Sequence, residues 1–265
     1  MITTVLFDMG GTLEDIWVDE ESRERAVAVL DRMLKGWGMD PGLPLPELRK
    51  AVDAGWKRYD AVRSAGDVEL KPTQIWGDYI LTDFDYPRDM LLPRCEEIAH
   101  MWEVTYFHRE LRPRVKEMLS ELKAMGMKLG VISNTAALYQ VFDSLEEYGI
   151  RDFFQDVTLS SVTGFRKPCR DIFTVSLRQM RSAPEECVYV GDTISRDVIG
   201  PKKAGFAAAI QIGSQLTKEK DRAMESSPVP DAVIEDIYDV VNVVREMTGT
   251  RPVYAGWTQT RTDVP

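Results

Sequence analysis

From Arg112 onward the chain alternates between two hydrophobic periods, and this alternation restricts the possible folds more than any other feature. Val115, Met118, Leu119 and Leu122 recur at helical spacing within a predicted helix from Pro113 to Met125. The apolar run Lys128 to Ser133 then reads as a strand, followed by a helix near Ala136 to Tyr148. Further strands are expected at Val157–Leu159, Cys187–Val190, Ala207–Ile212 and Ala232–Ile234, with helices between most of them. Strands joined through helices pair in parallel and are buried on both faces. The expected fold class is therefore α/β, a doubly wound, Rossmann-like parallel sheet.

The sheet is interrupted near its start. Ile2 to Phe7 is short, apolar and β-branched, and it runs into Asp8 and a Gly-Gly pair, so it reads as a buried strand entering a tight loop. From about Asp19 to about His108 the periodicity is helical, with helices expected around Val27–Trp37, Pro46–Ser64, Pro72–Asp83 and Pro87–Tyr106. Asp19-Glu20-Glu21 reads as the solvated start of the first of these. The expected organisation is an α/β core of residues 1–16 and 109–248, an all-helical cap of residues 17–108, and a loosely ordered tail of residues 249–265. The two connections, near Glu14–Asp19 and Tyr106–Arg112, would then be hinges beside the first strand's loop.

Composition excludes several function classes. A net charge of -10 with no cluster of Lys and Arg argues against nucleic acid as a partner, although one pocket can still be basic enough for a small anion. Cys95, Cys169 and Cys187 are odd in number and widely spaced, which argues against a disulfide framework or a zinc site. No apolar run is long enough to span a bilayer, and MITTVLFDMGG lacks the features of a signal peptide. A cytoplasmic protein without a membrane partner is expected, and its oligomeric state is not written in the sequence.

Four segments at predicted strand ends carry the chemistry: Asp8-Met9-Gly10-Gly11-Thr12-Leu13, Val131-Ile132-Ser133-Asn134, Gly164-Phe165-Arg166-Lys167-Pro168 and Gly191-Asp192-Thr193-Ile194-Ser195-Arg196-Asp197. Open parallel sheets bind ligands at those ends. In this order the segments resemble the four motifs of the haloacid dehalogenase superfamily, over nearly the whole chain except the tail, and the insertion resembles that family's helical cap. The resemblance implies Asp8 as nucleophile, Ser133 as the hydroxyl that binds the transferred group and Lys167 as the balancing charge. It also implies Asp192 and Asp197 as acids supporting Mg2+.

The chemistry has a physical logic of its own. An aspartate that attacks phosphorus divides a difficult hydrolysis into two easier steps. Gly10 and Gly11 would let main-chain amides approach a phosphate, with Ser133, Asn134 and Lys167 completing the cradle. Asp8, the Gly10 carbonyl and Asp192 would suffice to hold magnesium, with Asp197 behind them. Crowded carboxylates stay ionised only beside cations, which magnesium and Lys167 would supply. The substrate would be a small phosphorylated metabolite.

Gly10 departs from the family pattern. Most phosphatases of the family carry there a second aspartate, a general acid and base whose loss is worth roughly 10²–10⁴ in rate. Three explanations are open: a good leaving group, a substitute among His100, His108, Glu14 and Asp15, or a weakly catalytic or non-catalytic phosphate-binding protein. A 2-haloacid dehalogenase needs no proton donor, but typically carries Tyr at that position and lacks the magnesium acids. A phosphonate-cleaving enzyme would want a reactive cap lysine, and Lys35, Lys50, Lys57 and Lys71 have no telling context.

Each residue also has a plainer explanation. Asp8 suits a turn before Gly-Gly, Ser133 and Asn134 suit a helix cap, Lys167 a solvated residue before a helix, and Asp197 a first-turn acid. The aromatics Trp37, Trp56, Trp76, Tyr79, Phe84 and Trp102 sit at helical spacing and are expected mostly in the cap's own core, with one or two at the pocket. The three cysteines are expected to be inert thiols.

Overall fold

The computed structural model describes residues 1–64, 66–214 and 229–249; the expected loose tail falls almost entirely outside them. Strands β1 (Thr4–Phe7), β2 (Glu14–Trp17), β3 (His108–Leu111), β4 (Lys128–Ser133), β5 (Asp156–Leu159), β6 (Cys187–Gly191), β7 (Ala208–Ile212) and β8 (Ala232–Ile234) form two sheets. Six of them make a sheet in the order β5-β4-β1-β6-β7-β8, and every pairing in it is parallel. This is the doubly wound α/β core that the alternation predicts.

The strands are apolar on both faces because both are covered. Val5 and Phe7 of β1 join a core with α6 (Val115–Ala124), α7 (Gln140–Glu147) and α11 (Asp239–Thr248), while Leu6 points to the other side. There it meets Ile172, Phe173 and Leu177 of α9 (Arg170–Met180), the helix that follows the short α8 (Ser160–Thr163), and Ala204 of α10 (Ile199–Ala204). The central strand β1 pairs with β4 on one side and β6 on the other, so the loops leaving these three strands converge at one edge of the core.

Between β2 and β3 the chain is helical. It forms α1 (Glu20–Gly36), α2 (Leu45–Ser64), a short α3 (Pro72–Gln74) continued as a π-helical turn to Ile80, α4 (Arg88–Leu91) and α5 (Cys95–Tyr106). Asp19 begins α1 with a capping box: its carboxylate accepts the Ser22 N–H at 2.8 Å, and the Ser22 hydroxyl accepts the Asp19 N–H at 3.2 Å. The helices bury a separate cluster that includes Leu30, Leu34, Trp76 and Trp102, and Trp37, Trp56, Tyr79 and Phe84 pack against it. Two hydrophobic clusters on the sheet and one in the insertion make the helical unit a body of its own.

The two connections to the core pair with each other, which periodicity does not reveal. β2 and β3 form an antiparallel ladder with Glu14 opposite Leu111 and Trp17 opposite His108. Each strand is four residues long, and its partner lies about ninety residues away, so neither carries a local signal. A second tether joins Val68 to Phe165 as an isolated bridge, with Glu69 N–H donating to Gly164 O at 2.8 Å. Among the described residues no helix is long and apolar enough to cross a membrane.

Candidate active site

Asp8 follows β1 at the convergence of the loops, and its main-chain N–H donates to Val190 O of β6 at 2.9 Å. Its Oδ1 accepts the Met9 N–H at 2.7 Å and lies 2.8 Å from Lys167 Nζ. Lys167 Nζ also donates to Asp197 Oδ1 at 2.7 Å and to the Tyr189 hydroxyl at 2.9 Å. Tyr189 in turn donates to Ile132 O at 3.1 Å, which fixes the amine against the sheet. Asp197 Oδ2 accepts from both the N–H (3.0 Å) and the hydroxyl (2.6 Å) of Thr193.

Asp192 completes the group. Ligand atoms of Asp8, Asp192 and Asp197 lie within 4.8 Å of one another, and all three residues are buried. Asp192 Oδ2 accepts the Ser214 hydroxyl at 2.6 Å. Three buried carboxylates crowd around the Lys167 ammonium, and carboxylates this close stay ionised together only beside positive charge, so the group is a candidate cation site. Oxygen donors alone suit a hard divalent ion such as magnesium.

The electrostatics follow this arrangement. Burial raises the Asp8 pKa, and the opposing Lys167 attraction does not cancel the rise. Burial also acts upward on Asp197, but Lys167 and the Thr193 bonds outweigh it and hold that carboxyl below its ordinary value. Lys167 is pulled down by burial and, more strongly, up by Asp197 and Asp8, so its amine stays charged.

Two expectations change in detail. Gly11 N–H donates to Glu14 O at 2.8 Å and is committed to the turn rather than to an anion. Its backbone has a φ of +87°, and a Cβ there would stand 2.4 Å from Asp192 Oδ2, so glycine is required for the carboxylate's approach. The sequence also assigns Lys167 a bond to phosphate. In the structure its side chain is 1% exposed and its amine is engaged by Asp8, Asp197 and Tyr189.

Above Asp8 lies a cavity of about 560 Å³ between the core and the helical unit. The core lines it with Asp8, Gly10, Ser133, Asn134, Arg166 and Arg196, and the helical unit with Trp56, Tyr59, Arg63, Trp102 and Glu103. Ser133 and Asn134 therefore face the same space as Asp8. The Asn134 side chain accepts the Lys167 N–H at 2.9 Å and donates to Lys167 O at 3.1 Å, tying the second and third segments together.

His100 and His108 do not line this cavity; they pair with Asp143 at 2.8 Å and Asp19 at 3.0 Å. Asp15 faces away, 2.9 Å from Arg112. Glu14 is wholly buried beside Gly10, where its carboxylate pairs with Arg109 and accepts the Tyr148 hydroxyl at 2.9 Å. Several of these partners escape sequence reasoning. Glu103, on α5, and Arg109, in the predicted hinge, stand without a motif. Tyr189 sits in an ordinary apolar strand, and Glu69 meets Arg166, Tyr59 and Ser160 only through the tertiary fold. Arg166, adjacent to Lys167, is the one with a local signal.

A family model described as haloacid dehalogenase-like hydrolase matches residues 2–205. The chain is 29% identical over 251 residues to a glyceraldehyde 3-phosphate phosphatase of Methanopyrus kandleri, covering 93% of this chain and 99% of that protein. It is 36% identical over 132 residues to a glyceraldehyde 3-phosphate phosphatase of Methanothermobacter thermautotrophicus, covering 50% of this chain and 58% of that one. The crystal structure of a 2-haloacid dehalogenase from Pseudomonas syringae is similar with a TM-score of 0.66 and 23% identity, covering 93% of this chain and 100% of that one. At that identity the likeness shows the fold.

Proposed function

The chain belongs to the haloacid dehalogenase-like hydrolase family, and from that premise we propose that it is a magnesium-dependent phosphatase that uses Asp8 as nucleophile on a small phosphorylated metabolite. The relatives named phosphatases support the reaction class. The observation that carries the mechanism is the buried group of Asp8, Asp192 and Asp197 around Lys167, with Ser133 on the same cavity as Asp8.

Asp8 Oδ attacks phosphorus, the bond to the leaving oxygen breaks, and an aspartyl phosphate forms; water then attacks phosphorus and frees Asp8. The Ser133 hydroxyl and the Asn134 main chain orient the phosphoryl oxygens. Lys167 holds the attacking carboxylate and offsets the charge that builds up in transfer. Asp192, Asp197, Asp8 and the Gly10 carbonyl would hold magnesium, which supplies positive charge at the transferring group when bound. The residues fit that ion, because the three carboxylates offer only oxygen donors, all within 4.8 Å of one another.

The helical unit is proposed to act as the cap, moving on the β2–β3 ladder to shut out bulk water. Asp8→Asn is expected to lower turnover of p-nitrophenyl phosphate and acetyl phosphate by roughly 10⁴–10⁶, and chelation of magnesium to abolish it. Magnesium at a hundred times its Kd is expected to add about 2.7 kcal/mol of stability, and Asp192→Asn to remove that gain. Phosphate binding with no turnover would refute the enzyme, and halide release from 2-haloacids without metal would assign a dehalogenase.

A further inference from the structure

An alkyl phosphate releases an alkoxide, which needs a proton, and Gly10 offers none. The carboxyl groups on the cavity wall are Asp8, Asp53, Asp60 and Glu103. Asp8 is the attacking group. Asp53 and Asp60, with side chains 52% and 47% exposed, belong to the open side and pair with Arg49 and Arg63 of their own helix. Glu103 differs: its side chain is 12% exposed, and Arg109 Nη2 donates to its Oε2 at 2.7 Å.

Arg109 links this carboxyl to the place where Gly10 lacks a side chain. Its other terminal nitrogen bonds Glu14 Oε1, and that same oxygen lies 3.7 Å from the point where a Cβ on Gly10 would stand. Glu14 itself is fully buried and does not line the cavity, whereas Glu103, Arg109 and Gly10 all do. One guanidinium thus lies between two carboxyls, and the one facing the substrate space is Glu103.

We propose that Glu103, on α5 of the helical unit, gives its proton to the leaving oxygen and later serves as the base for water. The assignment rests on the phosphatase reading above. In the first step the Glu103 O–H bond breaks and its proton joins the ester oxygen, while that oxygen's bond to phosphorus breaks and the Asp8 Oδ–P bond forms. The alcohol leaves neutral, and Glu103 is left as a carboxylate. In the second step Glu103 takes a proton from water as the water oxygen bonds phosphorus. The Asp8–P bond breaks, and both carboxyls return to their starting states.

Burial, rather than the charges around Glu103, shifts it toward the protonated form. Burial is the largest influence and raises the Glu103 pKa; Arg109 and the more distant Arg63 act downward, Glu14 adds to the rise, and the net shift is upward. Tyr148, above its usual range through burial and Glu14, brings no further positive charge.

The test compares an alkyl ester, glycerol 3-phosphate, with p-nitrophenyl phosphate, whose phenolate leaves without a proton. Glu103→Gln keeps the side chain's size, so its kcat ratio, alkyl over aryl, is expected to fall by roughly 10²–10⁴. The high-pH limb of the alkyl profile, which reports loss of the Glu103 proton as pH rises through its raised pKa, is expected to disappear. Gly10→Asp in the Glu103→Gln background supplies an acid on the opposite wall of the same cavity, where a Cβ would make ordinary contacts at 3.7 Å, and is expected to recover at least tenfold of the alkyl rate. Equal losses on both esters would mark Glu103 as structural, and no loss on the alkyl ester would also overturn the proposal. A wild-type protein inactive on the aryl ester would overturn the phosphatase reading itself.

Discussion

The two walls of the cavity are built on opposite principles. The core wall is a set of charges fixed to strand ends, in which Lys167 is held by three separate elements and Asp197 by two bonds from Thr193. The helical wall mixes charged side chains with aromatic rings that pack on one another: Trp102 stacks on Tyr106 at 5.0 Å, and both Trp102 and Trp56 meet the buried Trp76 behind them, at 5.5 Å and 5.8 Å. The core wall is suited to one reaction on any phosphate ester. On the proposed reading, the helical wall would touch whatever lies beyond the phosphate and would be where substrates are told apart. Glu103 stands at the seam, carried by a helix but wired through Arg109 to Glu14 at the start of β2.

Breaking the core wall should have the largest effect. Lys167→Met leaves three buried carboxylates without their amine, and is expected to cost roughly 3–5 kcal/mol of stability and to slow all phosphate esters by a common factor above about 10². Melting in denaturant and parallel kinetics on two esters would measure it. A loss that depended strongly on the ester would contradict the division between the walls.

A smaller and substrate-dependent effect is expected on the helical side. Trp102→Leu keeps apolar bulk but removes the ring contacts with Tyr106 and Trp76, worth about 1 kcal/mol each. KM should change several-fold, by different factors for esters of different size, while the magnesium requirement stays as it was. An identical change for every ester would show that the aromatics only support the fold.

Smallest of all is the exposed edge. Arg23 lines the cavity from an exposed position on α1, and Arg23→Ala should alter binding by less than about 1 kcal/mol. The effect should fade as salt is raised, since exposed charges are screened. A salt-independent loss would move Arg23 into the closed pocket.

Much of the core was legible because its signals are local. Burial on both faces makes β1, β4 and β6 largely apolar, and each runs into a small or charged residue: Asp8, Ser133 and Gly191. The helix predicted from Ala136 begins instead at Gln140, because Thr135 and Ala137 are held by Ser160, Ser161 and their own turn. The β2–β3 ladder was not legible: four-residue strands without alternation gain their stability from each other across the whole helical insertion. Glu69 carries no motif, yet it is a wholly buried carboxylate with bonds from Arg166, Tyr59 and Ser160.

Sequence by itself determined the order of the six strands of the parallel sheet and the helices between them, the helical character of the insertion and the identity of the charged residues at strand ends. These depend on periodicity and on which residues a turn or a buried strand tolerates, and both are written within a few positions of each other. Only the tertiary structure decided that Gly11 serves Asp192 instead of an anion, that Lys167 is buried behind Asp8, and that one arginine lies between Glu14 and Glu103. Those facts concern groups distant in the chain that share a low-dielectric space, where each charge is settled by its neighbours rather than by its own residue type.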